Sequence, residues 1–323
     1  MKEILMMKGA RKLVEECAAV KEEEKVVIVT DFNLINIAKV VASAVHERKA
    51  EVVIVSMAPR KTHNEELPPV VAAAMKKADV IFVPTTYSIA HTKARTDATD
   101  AGARVINMPD YREDLLMSPA LVEVNLKARE PLIKKIAEML TEAKEAYVTS
   151  PLGTDIKLGL EGRKGAALTG LIHEPGQFGS PPDLEARITP VEGTAEGTIV
   201  VDGSITAVGL LSEPITVTVR NGFAQEIRGG EQARRFADIL AKANDPNVYN
   251  IAELGIGQNP QAQLNGIMTE DEGALGTIHI AVGTSGAFGG KIRTSVHLDM
   301  IIKGTTVKLD SKTSIKDGKV VVS

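Results

Sequence analysis

Val26-Val27-Ile28-Val29-Thr30 is a short run that is apolar on both faces of an extended strand. Side chains alternate sides along a strand, so such a run needs cover above and below. Three more runs follow: Val52-Val53-Ile54-Val55, Val80-Ile81-Phe82-Val83 and Val105-Ile106-Asn107-Met108-Pro109. Helical stretches separate them, at 33–49 with apolar residues at Ile35, Val40, Val41 and Val45, at 67–78 and at 88–102. Gly102 is placed to close the last of these as a C-cap. Strand and helix in alternation predict a parallel sheet with helices on both sides. Residues 1–146 therefore read as an α/β domain of flavodoxin or Rossmann type, with 113–146 mostly helical.

The pattern changes near Tyr147. Gly and Pro are dense from 152 to 190, and strand-like stretches with turn signals follow. Thr198-Ile199-Val200-Val201 precedes Asp202-Gly203, and Ile215-Thr216-Val217-Thr218-Val219-Arg220 runs into Asn221-Gly222, a hairpin turn signal. An amphipathic helix is expected at 231–243 and strands at 250–256, 277–282 and 294–302, with a last hairpin at Asp317-Gly318. Residues 147–323 are thus expected to form a β-rich α+β domain. The expected class is α/β: an N-terminal parallel-sheet domain followed by a C-terminal metal-binding domain.

The metal expectation rests on a few polar residues inside apolar strands. His279 lies in Gly-Thr-Ile-His-Ile-Ala-Val-Gly, and His297 and Asp299 lie in Ser-Val-His-Leu-Asp-Met. On a strand, His297 and Asp299 share a face roughly 6.5–7 Å apart, which lets two ligands converge on one cation. Glu253 closes Asn250-Ile251-Ala252-Glu253, where a carboxylate is costly to bury unless paired or metal-bound. A lone histidine between two isoleucines is more often a hydrogen-bonded core residue. Two histidines and an aspartate in neighbouring β-segments favour a metal, and this donor set suits Zn, Co, Mn or Fe(II).

Composition removes several other functions. The chain has 323 residues, enough for two domains, and aromatics are only 3%, so Val, Ile, Leu and Ala must fill the core. A net charge of −4 with interspersed Lys and Glu leaves no nucleic-acid footprint. Cys17 is the only cysteine, which excludes an intrachain disulfide and a thiolate metal site, and its amphipathic setting reads as a buried, inert thiol. There is no signal-peptide pattern, and no apolar run approaches the roughly 18 residues of a membrane span. A cytoplasmic protein with no membrane partner is expected.

Two glycine clusters imitate nucleotide loops and fail. Gly255-Ile256-Gly257-Gln258-Asn259-Pro260 has Pro at the third Gly position, and Gly283 to Lys291 has Ile292 where a P-loop needs Ser or Thr. Turns that let backbone approach a metal site are the better reading of these glycines. Glu270-Asp271-Glu272 reads as a solvated acidic loop.

Ala252-Glu253-Leu254-Gly255-Ile256-Gly257-Gln258-Asn259-Pro260, Glu270-Asp271-Glu272, Gly276-Thr277-Ile278-His279-Ile280-Ala281 and His297-Leu298-Asp299 together resemble the thermophilic aminopeptidase family, the aminopeptidase T type of metallopeptidase. The stretch from Gly176 to Glu185 is similar to that family's Asn-Leu-Pro-x-x-Glu segment. The resemblance implies five metal ligands, at Glu185, Glu253, His279, His297 and Asp299, with Glu185 also a catalytic carboxylate. It implies two Zn or Co ions, a hydrolase that releases N-terminal residues from small peptides or cleaves a small amide, and a homodimer. One departure is that no Tyr follows Tyr249, where the peptidases carry a tyrosine after the first histidine; Phe288 is the nearest aromatic. The related 2,5-dihydroxypyridine dioxygenases imply the alternative, one Fe(II) held by His279, His297 and Asp299 and a small ring-shaped substrate. In that reading His91 and His173 serve proton transfer, and Arg95, one helical turn from His91, holds the substrate.

Overall fold

The structure is a computed structural model, and it describes residues 2–286, 289–310, 312–317 and 319–321. Phe288, and Gly318 of the last expected hairpin, lie outside the described residues. Two compact units are present, Met1–Leu126 with Thr169–Pro182, and Lys127–Leu168 with Asp183–Ser323. The sequence pattern changes at 147, whereas the long helix Leu126–Glu142 lies almost wholly in the second unit and 169–182 returns to the first.

In the first unit the four β-branched runs become the parallel strands Lys25–Asp31, Glu51–Met57, Val80–Thr85 and Arg104–Pro109. Their spatial order is Glu51–Met57, Lys25–Asp31, Val80–Thr85, Arg104–Pro109, and a two-residue strand Phe178–Gly179 extends the sheet in parallel. Parallel pairing requires crossovers, supplied by the helices Ile35–Glu47, Pro69–Met75 and Lys93–Asp100. Val27, Val29, Ile81, Val83 and Val105 form one core with Val71, Met75, Ala94 and Ala98 of those helices. Ile28, Phe82 and Ile106 alternate with them and are also fully buried, as runs apolar on both faces require. Thr92 caps its helix by accepting from the Arg95 amide, and Gly102 ends it at φ +100°.

The segment expected as mostly helix, 113–146, is broken. A 3-10 turn Leu115–Met117 gives way to a helix restarted at Ser118-Pro119, where Ser118 accepts from the Ala120 amide. The helix Leu126–Glu142 follows, and Glu145–Thr149 is already a strand. Cys17 is buried as expected, and burial pushes its thiol up to about 12.

The second unit holds two antiparallel sheets. One runs, in spatial order, Phe223–Arg228, Ile215–Arg220, Glu196–Val201, Asp155–Gly159, Glu145–Thr149, Thr306–Leu309, Lys312–Lys316 and Lys319–Val320. Asn221 and Gly222 turn its first hairpin at φ 50° and 78°, the pair of positive angles that the turn signal implied. The other sheet runs Gly209–Leu210, Ser204–Ile205, His297–Lys303, Thr277–Gly283, Ile251–Gly257, Glu185–Ile188 and Ala166–Leu168. All seven residues of Ile251–Gly257 and of Thr277–Gly283 are buried, so a polar side chain on either strand is largely withdrawn from bulk water. The fold is therefore the expected one, a parallel-sheet α/β unit and a β-rich unit. No helix among the described residues is long and apolar enough to cross a membrane.

Phe82 is the largest fully buried side chain of the first unit's sheet. Phe82→Ala is expected to cost about 3–5 kcal/mol through lost burial and a residual cavity, read from urea unfolding; a change under about 0.5 kcal/mol would place the residue outside the core.

Candidate metal centre

Strand register assembles the site. In the seven-stranded sheet, Ala281 pairs with Glu253 on one side and Asp299 on the other, and Gly283 pairs with His297. His279 pairs with Gly255, Gly255 pairs with Arg187, and Gly257 pairs with Glu185. Directly paired residues share a face, as do residues two apart. One face of four adjacent strands therefore carries Glu185, Arg187, Glu253, His279, His297 and Asp299. Gly255 makes room for this: a Cβ there would lie 2.0 Å from His279 Cε1 and 2.5 Å from Glu185 Oε2. The imidazole lies across the bare glycine toward the next strand.

His279 Nε2 is 3.4 Å from Glu185 Oε2, 3.8 Å from Glu253 Oε1 and 3.9 Å from Asp299 Oδ1. His297 Nε2 is 3.2 Å from Glu253 Oε2 and 3.4 Å from Asp299 Oδ1. Metal–donor bonds of about 2.0–2.2 Å place neighbouring donors on one ion roughly 3–4 Å apart, so these spacings fit a shared cation. Glu185, Glu253 and His279 form the tightest group, with donor atoms all within 4.8 Å of one another. Glu185 Oε2 is buried and makes no hydrogen bond among the described residues, an expensive arrangement unless a cation meets it. The five expected ligands thus come together, and the donor set fits a divalent ion.

Neighbouring groups hold the donors in place. Thr284 O lies 2.9 Å from His297 Nδ1; a carbonyl only accepts, so Nδ1 donates and Nε2 faces the carboxylates. Thr206 Oγ1 donates to Asp299 Oδ2 at 3.2 Å and accepts from the Asp299 amide at 3.0 Å. Arg187 Nη1 donates to Glu253 Oε1 at 3.1 Å.

The electrostatics are those of an over-charged pocket. Burial alone would lower the His279 imidazole, but Glu185, with Glu253 and Asp299, outweighs it and raises it to about 9. His297 is likewise raised well above its ordinary value against burial, chiefly by Asp299. Burial opposes ionisation of Glu253 and Asp299, yet Arg187 holds Glu253 well below the usual range and His297 brings Asp299 to about 2. Burial and the neighbouring Asp183 raise Glu185 well above the carboxylate range. Asp183 itself is pushed up by burial to about 8.

Three participants were missed in the sequence. Arg187 stands two residues after Glu185 on the strand Glu185–Ile188, so strand alternation could have found it, whereas Asp183 precedes that strand and carried no such signal. Glu272, half-buried and raised well above its ordinary value by burial and by Asp299, to which it is hydrogen-bonded, carried no such signal. The reading of Glu270-Asp271-Glu272 as a solvated loop is corrected. Glu270 and Asp271 are buried because their carboxylates are consumed by the preceding loop: Glu270 accepts from the Gln263 amide and Asn265 Nδ2, Asp271 from the Asn265 and Gly266 amides and Ser204 Oγ.

His91, His173 and Arg95 are built into the first unit. The His91 amide donates to Asn64 Oδ1, and Arg95 Nε donates to Ala90 O while its guanidinium stacks 5.0 Å over the Phe178 ring. His173 Nε2 lies 2.8 Å from Glu16 O, so that ring nitrogen is engaged with backbone.

A family model described as NicX: 2,5-dihydroxypyridine 5,6-dioxygenase matches residues 6–322. A 2,5-dihydroxypyridine 5,6-dioxygenase of Pseudomonas putida KT2440 is 27% identical over 263 residues, which span 77% of this chain and 72% of that protein. The solved structure of 2,5-dihydroxypyridine dioxygenase from Pseudomonas putida KT2440 superposes with a TM-score of 0.84 at 22% identity, covering 98% of this chain and 97% of the other. Wild-type AmpT from Thermus thermophilus superposes at 0.71 with 16% identity over the whole of both chains. The two structures share the fold.

Gly255→Ala puts a methyl group into the His279 ring. We expect Co(II) affinity to fall at least about tenfold, in keeping with displaced ligands; wild-type affinity in a folded variant would contradict the packing described here. The metal-free chain has a definite pH dependence. His279 is raised to about 9, so its contribution is complete below its unfolded value of 6.5 and disappears as pH rises through about 9. Asp183, raised to about 8, loses stability over the range from 3.8 upward as it is forced to ionise. Both act in one direction, so the thermal midpoint of metal-free protein should fall between about pH 6.5 and 9; a rise across that window would refute the charge arrangement.

Proposed function

The chain belongs to the 2,5-dihydroxypyridine 5,6-dioxygenase family, and from that premise we propose that it is an Fe(II)-dependent dioxygenase that opens a dihydroxylated nitrogen-heteroaromatic ring between carbons 5 and 6. The same family assignment overturns the reading as a metallohydrolase of aminopeptidase type: the family model and the curated relative both name a dioxygenase, and the likeness to AmpT is one of fold. The expectation of two Zn or Co ions goes with the hydrolase.

The observation that carries the proposal is the convergence of His279, His297 and Asp299 on one sheet face in a member of this family. Two imidazoles and one carboxylate are the donor set of mononuclear non-haem iron oxygenases. Fe(II) bound there would supply open coordination positions and the electron that a closed-shell ring cannot itself pass to O2. The remaining work falls to the chain. Thr284 and Thr206 orient His297 and Asp299. A cavity of about 560 Å³, lined by Ala166, Ala167, Arg187, Ile188, Thr189 and Glu253 among others, opens beside the cluster and has room for a small ring. Glu185, its carboxyl raised by burial beside His279, is the group placed to hold a proton from a substrate hydroxyl.

Fe(II)-loaded protein prepared without oxygen should consume about one O2 per 2,5-dihydroxypyridine, and His297→Ala should lower that rate at least about 100-fold. Hydrolysis of leucyl-p-nitroanilide with no oxygen uptake would reject the proposal.

A further inference from the structure

Arg187 is the one guanidinium on the ligand-bearing sheet face among the described residues. It sits on Glu185–Ile188, pairs with Gly255 and shares a face with Glu185. Nη1 donates to Glu253 Oε1 at 3.1 Å, and Nε lies 3.8 Å from Glu185 Oε1. Its side chain is 17% exposed. Guanidinium does not lose its proton in proteins, so this is a permanent positive charge among buried carboxylates.

The donors therefore divide between two cations. His279 Nε2, His297 Nε2 and Asp299 Oδ1 lie at ligand-to-ligand spacings on one side. Glu253 Oε1 accepts from Arg187 and also lies 3.8 Å from His279 Nε2, while Glu253 Oε2 lies 3.2 Å from His297 Nε2. A second divalent ion bridging Glu185 and Glu253 would compete for the oxygen that already accepts from Arg187. It would also stand within a few ångströms of a like charge at low dielectric, where repulsion is strong.

We infer that Arg187 is a built-in counter-cation that restricts this centre to one divalent ion. It is a specificity-determining residue for metal number, acting through Glu253 and Glu185. The inference rests on the proposed function only in taking His279, His297 and Asp299 as the ion's ligands.

The test is metal stoichiometry, read on protein freed of metal and titrated with Co(II) under nitrogen. Wild type and Arg187→Lys should saturate at about one ion per chain, and Arg187→Leu at about two, as the freed carboxylates take a second. The thermal midpoint should stop rising after one equivalent in wild type and continue to a second in Arg187→Leu, because each bound ion stabilises the folded state. Two ions on wild type, or one on folded Arg187→Leu, overturns the inference. Should Arg187→Leu fail to fold, Arg187→Gln, which keeps a polar side chain and removes the charge, takes its place: two ions per chain support the inference and one rejects it. One bound ion without oxygen uptake would sink the dioxygenase proposal and leave this inference standing.

Discussion

Burying charge on one sheet face is the constraint that organises the second unit. Glu253 and His279 lie on strands whose every residue is buried, and Glu185 and Asp299 lie on the strands beside them. An unpaired ion in such a place costs several kcal/mol even after relaxation. The strands can carry these groups only because opposite charge meets them. Arg187 and the two imidazoles provide part of that charge, and a divalent ion suits the rest. The same constraint explains the small residues between the ligands. Gly255, Ala281 and Gly283 keep the face open so that side chains from four strands can meet over it.

Much of the fold was legible because its signals are local. A run such as Val80-Ile81-Phe82-Val83 has one stable use, a strand buried on both faces, whereas Val52-Val53-Ile54-Val55 reads alike but forms the edge strand of the sheet, with Val53 and Ile54 exposed. Asn221-Gly222 specified its hairpin through the positive φ that both residues tolerate. What failed was non-local. The return of 169–182 to the first unit depends on pairing between Phe178–Gly179 and Arg104–Pro109, which no local pattern announces, whereas the restart at Ser118-Pro119 did carry a local signal, a Ser cap before Pro.

The site divides in the same way. His297 and Asp299 were readable from strand alternation, and a polar residue between isoleucines marked His279. Arg187 obeys the same alternation from Glu185 and could have been found. Glu272 reaches Asp299 from outside the sheet, and its acidic neighbours looked solvated because sequence does not show which amides will consume a carboxylate. Function was the hardest to read. The motifs around Glu253, His279 and Asp299 are compatible with two chemistries on one fold, and ligand identity alone does not choose between them. The match to the dioxygenase family across residues 6–322 does.

Donors from two neighbouring strands meet on one cation, and anomalous diffraction from Fe(II)-loaded crystals shows whether they do. A single iron peak is expected at bonding distance, about 2.0–2.2 Å, from the Nε2 atoms of His279 and His297 and from a carboxylate oxygen of Asp299. An iron peak elsewhere, or imidazoles turned away from it, would show that these donors share no ion.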